Sequence, residues 1–160
     1  MATFYADLLY WLENVLIAVS IRQSTWLYPA IEVGHLVGII VLVGPAFMFD
    51  LRLLGFAKDL PIPALANHLL LWSRRGLWLV VPSGLLLFIT DAQTLGVDAT
   101  FWWKMGLLLL AGLNALVFHT YTFSADWKSN KATPIGAKVA ALFSIGLWLG
   151  VIVCGRWLAY

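Results

Sequence analysis

The sequence predicts an all-α integral membrane protein: a bundle of four transmembrane helices preceded by an amphipathic interfacial helix. Three observations predict it. Hydrophobic residues make up 62% of the 160-residue chain and charged residues 11%, against about 25% charged in a soluble domain. Four apolar stretches, 26–49, 69–90, 101–119 and 135–153, approach or reach the span of about 20 residues that a bilayer demands. Nine tryptophans and five tyrosines crowd the ends of those stretches, among them Trp26, Tyr28, Trp102, Trp103, Tyr121, Trp127, Trp157 and Tyr160. Amphipathic rings collect at the lipid–water boundary. Four spans with short connections form a single membrane domain over residues 1–160.

The first segment, 3–21, lacks the basic start of a signal peptide and carries Asp7 and Glu13 instead. Phe4, Leu8, Leu12, Val15, Leu16 and Val19 recur at helical spacing, with Asp7, Asn14 and Ser20 opposite. Such a helix either lies in the membrane interface or packs on the bundle or a partner. The first span is predicted at 26–54, after the capping pair Ser24-Thr25. The second, 61–90, starts at Pro61, since proline suits a first helical turn. It carries Arg74 and Arg75 in its first half, and Pro82 and Gly84 mark an expected kink. The third is predicted at 101–123 and the fourth at 134–158, separated by the polar loop 124–133. No internal repeat or low-complexity tract interrupts this order.

Loop lysines and arginines set the orientation. Arg52, Lys58, Lys128, Lys131 and Lys138, joined by Arg74 and Arg75, outnumber Arg22, Lys104 and Arg156 on the other side. The expected location is a bacterial inner membrane, multi-pass, with both termini periplasmic. The net charge of +2 gives no case for nucleic acid. A lone Cys154 excludes an intrachain disulfide.

Imidazole is costly in hydrocarbon unless paired, so the three histidines are the first functional candidates. His35 lies within the first apolar run, one turn from Glu32. A Glu-x-x-His pair binds a metal ion, relays protons, or merely locks helices together. His119 lies near the cytoplasmic end of the third span and His68 near the start of the second. Either is a ligand, or an interfacial and a solvated residue respectively. His35 and His119 differ in depth by about 14 Å on helical rise, awkward for one shared haem; His68 and His119 are better matched. Met105, Leu108, Gly112, Ala115 and His119 share a face with room for a flat ring. Gly34 with Gly38 and Gly146 with Gly150 form small-residue patterns that also suit plain helix packing. Glu32, His35, Lys104 and Arg156 are expected at one membrane face, as a ligand pocket, a propionate clamp or an ion-pair network. Asp50 and Arg52 are expected to form a boundary pair, and Asn114 an interhelical hydrogen bond. No soluble catalytic motif is present, and two internal methionines, Met48 and Met105, give little basis for a methionine copper site.

Residues 21–26 (IRQSTW), 31–36 (IEVGHL), 50–55 (DLRLLG), 101–105 (FWWKM) and 155–157 (GRW) give the chain a resemblance to a family of small, uncharacterised bacterial four-span membrane proteins. FWWKM with Asn114 is also similar to copper-resistance D membrane domains, over the third span. A looser similarity links both to b-type cytochromes with histidines on four helices. Those di-haem proteins use four axial histidines; three here leave room for one bis-histidine haem. The resemblance and the histidines together point to a membrane redox protein. It would bind haem b through His35, His68 and His119, with Arg156, Lys104 or Arg75 neutralising propionates, and would exchange electrons with quinone or a partner. The alternatives are a non-catalytic accessory subunit of a larger membrane complex, and a copper-binding or copper-transport protein using His35, His119 and Glu32. Membrane lipid is a partner in every reading.

Overall fold

The computed structural model describes residues 2–122 and 133–158. The expected loop charges Asp126, Lys128 and Lys131, with Trp127 and Tyr160, lie outside the described residues. Among those described, the chain is helical with no strand. It comprises α1 (Ala2–Glu13), α2 (Leu16–Gln23), α3 (Leu27–Leu54), α4 (Ile62–Thr90), α5 (Ala92–Val97), α6 (Ala99–Val117), a π-turn (Phe118–Thr122) and α7 (Ile135–Trp157).

The N-terminal segment departs from the single expected helix. It breaks at Asn14, and its two halves are bent by 56°. The Asn14 amide donates to the Tyr10 carbonyl at 2.8 Å, taking up an acceptor at the end of α1. Val15 is extended and starts α2. The residues buried here are Leu9, Ala18 and Ile21, while Phe4, Leu8 and Leu16 of the expected apolar stripe are exposed. Leu9 packs where a Cβ on Gly96 of α5 would stand. The Tyr5 hydroxyl donates to the Gly96 carbonyl at 2.8 Å. Glu13 accepts from the Gln93 N–H at 2.9 Å. Arg22 pairs with Glu13 at 3.1 Å and donates to the Thr90 carbonyl at 3.1 Å. The segment is thus strapped to the corner between α4 and α5.

Three helices are long and apolar enough to cross a membrane: α3, α6 with the start of the π-turn (Ala99–Thr120), and α7. The bent α1–α2 pair, counted as one span, would make a fourth. The second expected span, α4, has the length, at 29 residues. Its apolar run is cut by the adjacent Arg74 and Arg75, and it falls outside the group that qualifies on apolarity. Ile40, Leu109, Leu142, Phe143 and Trp78 are all exposed. Large apolar side chains turned outward on every long helix fit a hydrocarbon surround.

Helix ends follow local rules. Gly55 closes α3 in the left-handed region at φ 109°, with its N–H on the Arg52 carbonyl and that of Phe56 on Leu51. Asp98 caps α6, accepting from the N–H groups of Thr100 and Phe101 at 2.6 and 3.1 Å.

The long helices pack in the order α4–α3–α7–α6. The α3–α4 contact is close because glycines meet backbone: a Cβ on Gly76 would stand 2.6 Å from the Leu42 nitrogen, and one on Gly38 2.7 Å from Val80 Cγ2. The Ser73 hydroxyl donates to the Leu42 carbonyl at 2.8 Å across the same seam. Toward the Leu54 end, Phe49, Leu53, Ala66, Phe118, Ala137 and Ala141 form a core, with Phe49 and Phe118 edge to face at 5.9 Å.

By contrast, α4 and α6 make no close backbone approach. They meet at one end. Phe88 stacks on Phe101 at 5.1 Å, and Arg74 lies within electrostatic reach of His119. Phe101 and His119 lie on one helical face with Met105, Leu108, Gly112 and Ala115, so that face is turned toward α4. Midway along it a Cβ on Gly112 would meet nothing within 4 Å. The facing surfaces of α4 and α6 are thus unpacked midway, an exposed apolar seam rather than an enclosed cavity.

Candidate functional site

The site begins with how α4 receives His35. Ser83 is buried, and Gly84 beside it lets the imidazole lie against the helix: a Cβ at 84 would stand 3.0 Å from His35 Cε1. His35 Nδ1 and Ser83 Oγ are 2.9 Å apart. The Ser83 hydroxyl donates to the Leu79 carbonyl of its own helix, the back-bond open to a serine within a helix. Its one proton is committed there, so its oxygen accepts from His35 Nδ1–H. With the serine proton placed there, the arrangement in which Nδ1 carries the ring proton leaves Nε2 its lone pair. Gly84 sits at the edge of α4, between the face packed on α3 and the face turned to the seam. His35 is thus half-buried at the rim of the apolar opening.

Lys104 reaches the same place from α6. It lies less than two turns beyond the Asp98 cap and is half-buried. Its Nζ lies 3.9 Å from where a Cβ on Gly155 of α7 would stand; the missing side chain makes room for the ammonium. Cys154 and His35 are both within its electrostatic reach. Among the described residues Lys104 has no ion pair or hydrogen bond. An ammonium held half-buried without a counter-ion carries a desolvation cost.

Of the other expected members, Glu32 is exposed one turn before His35, with its charge acting on Tyr28. Arg156 lies on the outer surface of α7, beside Ile152, Val153 and Trp157. Of the four residues expected at one membrane face, Lys104 acts on His35 through its charge, with no hydrogen bond between them. His119 sits in the π-turn, its ring edge to face with Phe118 at 5.5 Å. It lies more than three turns further from its helix start than His35 does, about 18 Å of rise. His68 is exposed on the second turn of α4. No two of the histidines are bonded to one another, and no group of three His, Cys, Asp or Glu residues suited to a metal ion occurs among the described residues.

Asn114 bridges helices as expected, donating to the Ala140 carbonyl at 3.0 Å. The expected Asp50–Arg52 pair does not form. Arg52 turns away to donate to the carbonyls of Lys58 at 3.0 Å and Leu60 at 2.8 Å. Asp50 is 7% exposed, bonded to Ser144 of α7, with its Oδ2 lacking a partner among the described residues. Residues two apart on a helix point to different faces. That signal was available: Asp50 shares the buried side of α3 with Phe49 and Leu53.

No curated protein and no solved structure matches this chain. The model of DUF6644, described as a family of unknown function, matches residues 8–160, nearly the whole length. With the histidine–lysine site and the Asp50 pocket both inside the matched region, the chain belongs to the DUF6644 family.

Proposed function

We propose that this chain is a redox protein of a bacterial inner membrane, with α3, α4, α6 and α7 crossing the bilayer. It carries one b-type haem at the α4–α6 seam and exchanges electrons with a quinone or a partner protein. The observation that carries this reading is a half-buried imidazole within electrostatic reach of a half-buried ammonium, beside the apolar seam. A porphyrin needs an axial base, a flat apolar slot and cations for its propionates. His35 offers Nε2 as the base, held in the required tautomer by Ser83. A partner on the far ring nitrogen is the usual way a ligating histidine is oriented. Gly112, Leu108 and Met105 offer the slot, and Lys104 offers the cation. The haem iron would supply one-electron chemistry; the protein's part is to orient, to exclude water and to balance charge. The depth between His35 and His119 makes His35 the one histidine that serves this site.

The test is a visible spectrum of protein purified from haem-sufficient cells. A Soret band that persists through purification and is lost in His35→Ala is expected. Lys104→Ala should lower haem retention while leaving the helical content intact. A colourless wild-type protein overturns the reading.

A second reading, an accessory subunit of a larger membrane complex, draws on the same seam, which a partner helix would fill. Its signature is a stable complex in native membranes that survives purification without any pigment. The copper reading has less behind it, since Glu32 is exposed and His119 is remote from His35.

A further inference from the structure

Asp50 lies outside the histidine–lysine site, toward the other end of the bundle. Its carboxyl is buried between α3 and α7 beside Phe49, Leu53, Ala137 and Ala141. Ser144 is its one hydrogen-bond partner. The local chemistry explains why Ser144 is available. A helical serine ordinarily turns its hydroxyl back to the carbonyl four residues earlier, here Ala140. Asn114 of α6 already donates to that carbonyl, so the Ser144 hydroxyl is free to point across to Asp50. Three helices are thereby joined by a short polar chain inside an apolar core.

Among the described residues no cation completes it. On α3 itself Arg52 is tied to loop carbonyls. On α4, His68 and Arg74 are exposed; on α7, Lys138 is exposed; on the π-turn, His119 packs on Phe118. Among the described residues Oδ2 has no hydrogen-bond partner. A buried, unpaired carboxylate is costly by several kcal/mol or more, and the smallest species that removes the charge is a proton.

We propose that Asp50, seated on the Ser144 hydroxyl, is a proton-binding site within the membrane. Ser144 donates to one oxygen, and the proton resides on the orphaned Oδ2. Loading and unloading happen from the Leu54 end, where the helix closes four residues later. This inference needs the membrane placement of α3 and α7 but not the haem, so a colourless protein leaves it standing.

The experiment uses the full chain in phosphatidylcholine bilayers. Dicyclohexylcarbodiimide reacts with protonated carboxyl groups: the acid O–H adds across a C=N bond, and the adduct rearranges to a stable N-acylurea. At neutral pH one adduct is expected, mapped to Asp50, absent from Asp50→Asn, slowed by raising the pH and unaffected by sodium. In parallel, the infrared difference between wild type and Asp50→Asn should contain the carbonyl stretch of a protonated acid. Asp50→Glu should keep that band at a displaced frequency. Either signature supports the site. A difference spectrum showing an ionised carboxylate, with no adduct at Asp50, overturns it. So does protection of Asp50 by sodium at fixed pH, which would make the pocket a cation site.

Discussion

At the scale of single residues, function concentrates where a polar group has been given one partner and left with one free valence. His35 spends Nδ1 on Ser83 and keeps Nε2. Ser83→Ala removes the partner on Nδ1 without touching the nitrogen proposed to ligate haem. It should weaken haem affinity roughly 10-fold or more, read by haem transfer to an apo-acceptor; an unchanged transfer rate would show that the serine is mere packing. Asp98→Ala should cost about 1 kcal/mol by leaving two N–H groups of α6 uncapped, visible as a lower melting temperature with no loss of pigment. The sequence pointed to His35 for a sound reason, since an imidazole inside an apolar run demands an explanation. It could not point to Ser83, because the pairing depends on the register of α3 against α4. Asp50 was legible and was misread. Its nearness to Arg52 along the chain suggested a pair, although helical geometry places the two on different faces.

At the scale of elements, contacts between helices are decided by where side chains are absent. Gly76 and Gly44 make the contrast measurable. A methyl group at 76 would run into the Leu42 backbone, whereas one at 44 would meet nothing within 4 Å. Gly76→Ala should destabilise the protein by about 1–3 kcal/mol, and Gly44→Ala should be neutral or slightly stabilising; equal melting temperatures would contradict the close α3–α4 packing. The N-terminal pair is held by Arg22 on Glu13 and Thr90. Arg22→Ala should expose the segment to limited proteolysis near Asn14 while the long helices remain resistant. The long helices were readable from apolar length and from Pro61, and α3 ends where expected. The break at Asn14 was not, because apolar periodicity runs straight through it and only a local backbone bond records the interruption. The seam between α4 and α6 was half-readable. The face from Met105 to His119 could be written down from spacing, but what it looks upon is a tertiary fact.

At the scale of the molecule, the charge distribution sets the direction of insertion. In a Cys154→Ser background, a cysteine at Asp98 should react with an impermeant maleimide in intact cells, and one at Lys58 should react only after lysis; the reverse pattern would invert the orientation. The packing order has a mechanical corollary. α3 with α4 and α6 with α7 form two leaves that share one spine along α3 and α7, fastened at the outer edge by the Phe88–Phe101 stack. A change of angle between the leaves, like the covers of a book, is the motion that this packing order opposes least, with the outer stack as its clasp. A group seated between the leaves would press on the spine along which Asp50 and Ser144 also lie.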